Sequence, residues 1–339
     1  MRNIIVYREN GRFGGWPANQ GIWSWGNEIV VGFIAGYLAK GPVSGLHLID
    51  QTKPSIHMEA RSLDSGTTWQ AQEAPYFLPS KKKIAQCPGD ISFTHPDFAL
   101  MCTRSGVIAG AISWFYVSYD RCVSWDGPYG LPMFNQKGIA ARTDYYVFDE
   151  RDCMLFLTAT KSDGTEGRPF CARTKNGGKT WQFVSWIGPE PEGWSIMPSS
   201  IRLADGRFLV ALRRREGRHG FIDLFASDDE GETWQFVNTP APDVRGPAGN
   251  PPSMIRLNDG RLCLTYGYRA KPYGIRARVS NDDGVSWSEE IILRADGGGP
   301  DLGYPRTVQR SDGKILTIYY FNDQIDGERY IAATIWEPD

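Results

Sequence analysis

Two aspartates lie close together in HLIDQTKPSIHMEARSLDSGTTW, at residues 47–69. Asp50 and Asp64 are fourteen positions apart, and each stands beside residues that favour turns. A carboxylate at such a place serves either as an acid or base in a reaction or as a hydrogen-bond acceptor that holds a turn. The patterns in the rest of the chain separate these two roles.

The segment around Asp64 has the form SxDxGxTW, and this form recurs along the chain. The five copies begin, at intervals of 56, 56, 53 and 53 residues, at Ser62, Ser118, Thr174, Ser227 and Ser280. Such regular spacing is the signature of a repeat architecture. In each copy an Asp or Asn side chain can accept backbone N–H groups, and Gly permits a positive φ. Cys122 replaces this Gly once and Asn176 replaces the Asp once, so we expect those two turns to be less regular.

A second pattern, a DG turn between two β-rich segments, repeats in step with the first. Asp205, Asp259 and Asp312 lie 54 and 53 residues apart in RLADGRFLVAL, RLNDGRLCLTY and QRSDGKILTIY. A DG pair in this setting predicts a β-hairpin. Weaker equivalents are WSWGNEIVVGF, MCTRSGVIAGAI and FDERDCMLFLTA, which brings the expected hairpins to six.

Six units of about 54 residues account for nearly the whole sequence, and each unit is expected to hold four short strands. No long helical period competes with the strands. A radial array of four-stranded sheets is a β-propeller, so we predict an all-β, six-bladed β-propeller that forms one domain over residues 1–339. The sixth unit lacks a fourth strand of its own, and the N-terminal NIIVYRE is predicted to supply it and close the ring.

The composition excludes several classes of protein. Charged residues make up 22% of the chain and the net charge is -2, which argues against a nucleic-acid partner. No apolar stretch approaches the roughly 18 residues of a membrane span, and the run before Arg8 is too short for a signal-peptide core. The six cysteines show no metal-type spacing, so no metal and no cofactor are expected. We expect a cytoplasmic protein without a membrane partner, and the oligomeric state stays open.

The SxDxGxTW turn resembles the Asp-box of the sialidase superfamily, and the array of six units resembles that of exo-sialidases. In that family the boxes lie at the periphery of the propeller, so the resemblance implies that Asp64 and its counterparts are structural. It also implies that function belongs to residues at the central axis, where the innermost strand of each blade begins. The Asp-box occurs as well in propellers that hydrolyse other sugars, cleave by elimination or only bind.

Two residues match catalytic positions of the sialidases. Tyr304, in LGYPRTVQRSDGK, lies nine positions before Gly313 of the DG turn, where the family has its nucleophile. Asp50 lies twelve positions before the first box, where the family places its acid/base on a loop. A neutral phenol suits a sugar with a carboxylate on its anomeric carbon, because that carboxylate repels Asp and Glu nucleophiles. His47 and Lys53, three positions to either side of Asp50, could tune its pKa.

Two positions depart from the family. The glutamate that helps the tyrosine to lose its proton corresponds to Met197. Glu192, in GPEPEGWSIMPSS, is the nearest substitute, either as that base or as a solvated loop charge. The first of the arginines that bind the substrate carboxylate corresponds to Gly15. Both departures bear on the substrate more than on the fold.

The other arginines of this set have candidates here. The resemblance implies that Arg213 is the second and that Arg269 or Arg276 is the third, since a guanidinium can bind a carboxylate through two parallel hydrogen bonds. Arg306, two residues after Tyr304 and so on the same face of a strand, could replace the missing charge.

A further group of residues lies at or near the starts of blades. Each is either a substrate contact or a partner in a buried polar network. They are Arg142, His47, His95, Asp97, Asn19 and Trp16.

The sequence therefore predicts a sialidase-like retaining exo-glycosidase that removes a terminal acidic sugar, sialic acid or a relative, from a glycan or oligosaccharide. Tyr304 is the expected nucleophile and Asp50 the expected acid/base. Two alternatives stay open. One is a propeller glycosidase or lyase for a uronic or neutral sugar, and the other is a propeller that binds carbohydrate without turnover.

Overall fold

The computed structural model describes residues 1–41, 46–74, 83–246 and 248–338. In this part of the chain the backbone forms 25 strands and one short helix, α1 (Pro17–Gln20). Within the same residues, no helix has the length and apolar character that crossing a membrane requires. The strands pair into six sheets. The fold is thus the all-β, six-bladed β-propeller predicted from the repeats.

The chain divides into two compact units. The first unit begins with β1 (Arg2–Tyr7), β2 (Arg12–Gly15), β3 (Gly21–Trp25), β4 (Glu28–Tyr37), β5 (Ile56–Ser62) and β6 (Gln70–Glu73). The second unit contains β7 (Ala99–Arg104), β8 (Ser113–Ser118), β9 (Asp126–Gly130), β10 (Ile139–Ala140), β11 (Tyr145–Val147), β12 (Cys153–Thr160), β13 (Glu166–Thr174), β14 (Gln182–Trp186), β15 (Trp194–Arg202), β16 (Phe208–Glu216), most of β17 (His219–Ser227) and β18 (Gln235–Ala241). The first unit resumes with β19 (Ser253–Arg256), β20 (Leu262–Tyr268), β21 (Gly274–Ser280), β22 (Ile291–Arg294), β23 (Gly303–Gln309), β24 (Ile315–Phe321) and β25 (Tyr330–Trp336). A single domain over residues 1–339 stays a prediction.

The first unit contains three sheets. Their strand orders are β1-β25-β24-β23, β19-β20-β21-β22 and β2-β4-β5-β6, and β3 also pairs with β4. Every residue of β24 (ILTIYYF) and β25 (YIAATIW) is buried, as expected for central strands that are covered on both faces. The strands β2 and β3 pair with different halves of β4, so α1 interrupts the innermost strand of this sheet.

The N-terminal strand completes the last sheet, as predicted. β1 pairs with β25 in antiparallel register, with Ile4 opposite Ala333. The Thr334 hydroxyl donates to Asn3 Oδ1 at 2.8 Å, and Val6 is buried. The outer edge of β25 is therefore hydrogen-bonded rather than open.

The second unit also contains three sheets, with strand orders β7-β8-β9, β10-β12-β13-β14 and β15-β16-β17-β18. The strand β11 pairs with β12 as well, so the innermost strand of this sheet is also split. All eight residues of β12 are buried. Aromatic rings fill the core between the second and third of these sheets, with Phe156 and Phe208 centroids 5.9 Å apart.

All six predicted hairpins are formed, but the one in MCTRSGVIAGAI is not equivalent to the other five. It joins β7 to β8, and β8 ends at Ser118 of the second box, whereas in the other four sheets with a box the third strand ends there. The interval from the turn glycine to the next box already shows that this hairpin is not equivalent to the others. Gly106 lies 12 residues before Ser118, whereas Gly260 lies 20 before Ser280. The matching turn precedes β7, where the Phe98 N–H donates to the His95 carbonyl at 3.0 Å.

The Asp-box turns are held by one aspartate and one hydroxyl. In the first box, Asp64 Oδ1 accepts the N–H groups of Thr67 and Thr68 at 3.0 and 2.8 Å. The Ser62 hydroxyl accepts the N–H of Gly66 at 2.7 Å. The hydrogen bonds from Thr68 hold the pKa of Asp64 down to about 2. Asp64 therefore holds a turn, as its repetition predicted.

The two boxes with altered residues form the same turn, so the expectation of less regular turns was wrong. Cys122 adopts the left-handed φ of 67° that Gly adopts elsewhere, and its N–H donates to the Ser118 hydroxyl at 2.9 Å. Asn176 Oδ1 accepts the Thr180 N–H at 3.0 Å. The shared hydrogen bonds outweigh the roughly 1–2 kcal/mol that a left-handed conformation costs a residue with a Cβ.

Candidate active site

Tyr304 lies at the start of β23, at the opposite end of that strand from its DG turn. The backbone here is left-handed, with φ of 107° at Gly303 and 52° at Tyr304, and the pairing with β24 shifts register between Gly303 and Arg306. The Tyr304 N–H donates to Asn250 Oδ1 at 2.9 Å, and Asn250 Nδ2 donates to the Leu302 carbonyl at 3.0 Å. A fully buried asparagine thus fixes the bulge that directs the tyrosine.

The ring of Tyr304 lies among polar aromatic groups and one cation. Its centroid is 5.9 Å from that of His47 and 5.8 Å from that of Tyr320, and both contacts are nearly perpendicular. The guanidinium of Arg269 is 5.6 Å from the same centroid. Only 7% of Tyr304 is exposed. Most of the Tyr304 side chain is therefore out of contact with solvent, where charge interactions are stronger than in water.

His47 is held by a buried carboxylate. Its Nδ1 lies 2.7 Å from Asp301 Oδ1, and the same oxygen accepts the Tyr320 hydroxyl at 2.7 Å. Asp301 Oδ2 accepts the N–H of Leu48 at 2.9 Å and Nε of Arg329 at 3.0 Å. Burial opposes the ionisation of Asp301, but the hydrogen bond and charge of His47 and the charge of Arg329 hold its pKa at about 2. Asp301 is thus an ionised group inside the protein.

Asp301 and Tyr320 were not among the residues predicted from the sequence. Asp301 is three positions before Tyr304, and like Asp50 it lies outside the repeated boxes and DG turns. That singularity was an available signal. Tyr320 lies within an apolar strand and gives no such signal.

Asp50 lies on the segment between β4 and β5, which also carries His47. Its Oδ1 accepts the hydroxyl and the N–H of Thr52 at 2.6 and 3.1 Å, and its Oδ2 lies 3.2 Å from Lys53 Nζ. The bonds from Thr52, followed by Lys53, lower the pKa of Asp50. Within the described residues, the contacts of Asp50 do not include Tyr304, and His47 pairs with Asp301 instead.

Aromatic side chains pack together where the sheet β2-β4-β5-β6 begins. Trp16 Nε1 lies 3.3 Å from His47 Nδ1, and the Trp16 ring is 5.1 Å from the imidazole. The Asn19 N–H donates to the Trp16 carbonyl at 3.0 Å within the turn of α1. At Gly15 an added Cβ would lie 2.4 Å from the ring of Phe13. The place of the family's first arginine is therefore filled by a buried ring.

The candidate arginines of the first unit bind backbone carbonyls. Arg269 donates to the carbonyls of Leu302 and Gly249 and to the Tyr320 hydroxyl, all within 3.2 Å. Arg276, on β21, donates to the carbonyls of Ile275, Pro272 and Arg294. Arg306 donates to the Ala18 carbonyl at 2.8 Å. Of these, the structure brings Arg269 to Tyr304.

The second unit reproduces the local structure of Tyr304 at Met197. Met197 has φ of 54°, and the pairing of β15 with β16 shifts register between Ile196 and Ser199. Arg213 Nη1 is 3.4 Å from the sulfur of Met197, and its guanidinium lies 4.9 Å from the Trp194 ring centroid. Glu192 is exposed just before β15. Tyr304 and Met197 therefore occupy equivalent positions in their sheets, as their equal distance from the DG turns predicted.

The other candidates of the second unit have carboxylate or turn partners. Arg142 forms a two-point ion pair with Glu166, and both side chains are 9% exposed. Asp97 Oδ1 accepts Nε of Arg121, in the second box turn, at 2.5 Å, and the Asp97 N–H donates to His95 Nδ1 at 3.2 Å. His95 and Asp97 therefore belong to the hairpin turn beside that box.

The described residues offer no metal centre, and a cavity among them lies away from the candidate residues. Across the described ranges, no group of three or more His, Cys, Asp or Glu side chains could hold a metal ion. A cavity of about 1070 Å³ in the second unit lies beside the third and fourth boxes, where Arg173, Asn176 and Glu230 line it. None of the predicted site residues borders it.

Comparison with known proteins supports the assignment of the fold. Residues 98–317 match the family described as BNR repeat-like domain. No curated protein matches the sequence. A protein of unknown function from Dyadobacter fermentans is 22% identical, with a TM-score of 0.77 over 99% of this chain and 98% of that one.

Two enzymes share the same architecture at lower identity. The NanB sialidase of Streptococcus pneumoniae is 12% identical, with a TM-score of 0.68 over 98% of this chain and 70% of that one. An α-L-arabinanase of Penicillium chrysogenum, solved with arabinobiose, is also 12% identical, with a TM-score of 0.59 over 99% of both chains. At such identities the likeness establishes the fold.

Proposed function

Since the chain belongs to the BNR repeat-like domain family, we propose that it is a sialidase-like retaining exo-glycosidase that removes a terminal acidic sugar. The observation that carries this proposal is the position of Tyr304. A buried asparagine fixes its backbone in a bulge, and its ring lies against His47 and Arg269. A tyrosine held this firmly at the start of a strand suits a nucleophile, because attack requires a defined approach to the anomeric carbon.

The chemistry begins with the phenol of Tyr304. A tyrosine with an ordinary pKa near 10 must lose its proton to become a good nucleophile. The positive charge of Arg269, 5.6 Å from the ring centroid, favours the negative charge that develops on the phenol oxygen during attack. The resulting glycosyl-tyrosine is then hydrolysed by water, and the anomeric configuration is retained.

Asp50 is proposed as the acid/base for the leaving group. It shares a loop with His47, which reaches the ring of Tyr304. Its side chain is bound to Thr52 and Lys53 in the free protein, so substrate must replace these contacts for proton donation. Glu192 stays a candidate for activating the tyrosine.

The second candidate function is hydrolysis of a neutral sugar. Two observations favour it, since Phe13 fills the space beside Gly15, and backbone carbonyls take the donors of Arg269 and Arg276. A site with fewer available guanidinium groups binds a carboxylate less tightly. The arabinanase likeness is compatible with this reading.

The test is turnover of p-nitrophenyl glycosides of sialic acid, glucuronic acid and arabinose by the purified chain and by Tyr304→Phe. Release of nitrophenol from the sialoside alone is expected, and Tyr304→Phe should lose it because the variant lacks a nucleophilic oxygen. The circular dichroism spectrum should not change. Full activity in Tyr304→Phe would disprove the nucleophile, turnover of the arabinoside alone would favour the second candidate, and binding without turnover would indicate a lectin-like propeller.

A further inference from the structure

We propose that His47, oriented by Asp301, is the base that takes the phenol proton from Tyr304, so that the site contains an Asp–His–Tyr relay. This inference rests on the proposed function and names the group that activates its nucleophile. It assigns to His47 a direct part in the reaction and to Asp301 the role of a positioning residue.

The first support is the chemistry of the groups at the Tyr304 ring. The His47, Tyr320 and Arg269 side chains lie within 5.9 Å of its centroid. The guanidinium of Arg269 stays protonated, and the Tyr320 hydroxyl already donates to Asp301. Of these three groups, the imidazole of His47 is therefore the one suited to accept the phenol proton.

The second support is the state of the His47 ring. Asp301 is ionised and can only accept hydrogen bonds, so we assign the proton of a neutral His47 to Nδ1, 2.7 Å from Asp301 Oδ1, because this contact is shorter than the 3.3 Å from the Trp16 N–H to the same nitrogen. The lone pair is then on Nε2, which is the tautomer of a general base. The buried carboxylate also stabilises the imidazolium that forms when Nε2 takes a proton, as the aspartate does in a Ser-His-Asp triad.

The third support is the rigidity of Asp301. Its second oxygen is held by the Leu48 N–H and by Arg329, and the Tyr320 hydroxyl shares the first oxygen with His47. Arg269 in turn donates to the Tyr320 oxygen at 3.0 Å. A carboxylate with this many donors cannot rotate away, so the imidazole keeps its direction.

Access to the ring is also adequate. The side chain of His47 is 27% exposed, whereas that of Asp301 is 2% exposed. The imidazole thus lies between a closed interior and a region that a sugar can reach. The centroid spacing of 5.9 Å allows an imidazole nitrogen and a phenol oxygen to meet directly or through one water.

Nε2 of His47 takes the phenol proton as the Tyr304 oxygen bonds to the anomeric carbon, and the glycosidic oxygen leaves with a proton from Asp50. Water then attacks the anomeric carbon and gives a proton to Asp50. The Tyr304 oxygen departs and regains its proton from Nε2, which restores the starting state.

The experiment compares the full chain with His47→Gln, His47→Ala and the control His219→Gln, whose parent histidine is exposed on β17. The probes are the p-nitrophenyl glycosides used above. A fall in kcat of about 10²–10⁴-fold is expected in both His47 variants, the range that general base catalysis contributes. Added imidazole should restore part of the activity of His47→Ala and none of Tyr304→Phe.

Asp301→Asn tests the positioning role. Loss of the carboxylate removes the charge that favours the imidazolium, so the acid limb of kcat/KM should move to lower pH. The groups that face His47 are Asp301, just before β23, Tyr304 on β23 and Tyr320 on β24. Arg329 and Arg269 lie one contact further, and Asp50 and Lys53 are on its own segment. A residue with only a structural role would lower activity without moving this limb.

A proton spectrum gives a readout that does not depend on a substrate. A downfield imidazole N–H resonance should be present in the wild-type chain and in His219→Gln. It should be absent from His47→Gln, and its frequency should be shifted in Asp301→Asn. If His47→Gln keeps this resonance, the relay is disproved. Full turnover by His47→Gln together with loss in Tyr304→Phe would overturn the relay alone. A wild-type chain that hydrolyses none of the probes would overturn the proposed function and the relay with it.

Discussion

Asp50 and Asp301 both have lowered pKa values, but the causes differ and so do the consequences. Asp301 is 1% exposed and depends on its contact with His47 and on the charge of Arg329, whereas Asp50 accepts hydrogen bonds from Thr52 in a surface turn. A buried carboxylate that keeps its charge orients and stabilises other groups. A surface carboxylate can exchange its partners when a sugar arrives.

The part played by Asp50 predicts a dependence on the leaving group. Because the pKa of Asp50 is lowered, little of it is protonated at neutral pH, so turnover of a poor leaving group should be slower than that of an activated one. Asp50→Asn should cost about 10²-fold or more on an unactivated disaccharide and much less on a p-nitrophenyl glycoside, which needs no proton. The measurement is kcat/KM on both substrates. Equal losses on the two would contradict the role of Asp50, and Asp163→Asn, in an exposed turn closed by Thr165, is the matched control.

Some of these residues could be found from the sequence and others could not. Counting from the DG turns located Tyr304 and its counterpart Met197, because strand length and turn chemistry fix the spacing within a blade. The contact of His47 with Asp301 spans 254 positions, and no local pattern records such a pairing. The donors of Arg269 are taken by carbonyls that only the folded backbone brings to it.

At the scale of the element, the Asp-box turn is a small hydrogen-bonded unit that tolerates exchange of its residues. The first and second copies hold an aspartate, and the third holds Asn176, which binds both the N–H and the hydroxyl of Thr180. The left-handed pair of residues that follows is present in each copy, at Ser65 and Gly66 in the first. The geometry of the turn therefore depends on the acceptor oxygen and not on a negative charge.

The charge of Asp64 and its hydrogen bonds should have separate effects on stability, and two substitutions distinguish them. Asp64→Asn should keep most of the turn, as Asn176 does, whereas Asp64→Ala should lower the free energy of unfolding by about 1–2 kcal/mol, because backbone N–H groups lose their acceptor. The pKa of Asp64 is about 2 in the folded protein, below the value of about 3.9 in an unfolded chain. Its charge thus contributes stability above about pH 4 that is lost as pH falls toward 2, and Asp64→Asn should not show this part of the loss.

Denaturant unfolding at pH 7 and at pH 3 measures both effects. The matching change Asn176→Asp provides the reverse control, since it should add the pH dependence that Asp64→Asn removes. Equal destabilisation by Asp64→Asn and Asp64→Ala would contradict the assignment.

The hairpin in MCTRSGVIAGAI was wrongly predicted to be equivalent to the other five, and its sequence explains why. RSG in MCTRSGVIAGAI has the small, turn-forming character of DG, so the pattern alone could not separate the second hairpin of a sheet from the first. The interval to the following box was the better guide, because in the other four sheets with a box the box follows the third strand. Periodicity between repeats is a stronger constraint than composition within one.

At the scale of the whole molecule, one sheet joins the two ends of the chain. β1 is the outer strand of the sheet that β23, β24 and β25 otherwise form. The repeat predicted this arrangement, since the last unit is one strand short. The prediction of a single domain could be tested by equilibrium unfolding, where coincident transitions by fluorescence and circular dichroism would support it and separate ones would contradict it.

Removal of β1 should destabilise the protein strongly. Deletion of residues 2–7 removes the ladder bonds to β25, at about 1 kcal/mol each, and exposes the surface that Val6 covers. We expect a loss of about 3 kcal/mol or more in the free energy of unfolding and a lower Tm. Thermal melting measures it, and a synthetic RNIIVYRE peptide should restore part of the Tm. The control is Ile5→Thr in the same strand, because Ile5 is 56% exposed, and an unchanged Tm on deletion would contradict the closing role of β1.

The pairing of β1 with β25 can form only late in synthesis. Asn3 and Thr334 bond across 331 positions, so β1 leaves the ribosome long before its partner strand β25. During that interval its apolar residues have no partner strand, and chaperones or proteases can reach them. A pause in translation between β1 and β25 would therefore lengthen the period in which β1 lacks its partner.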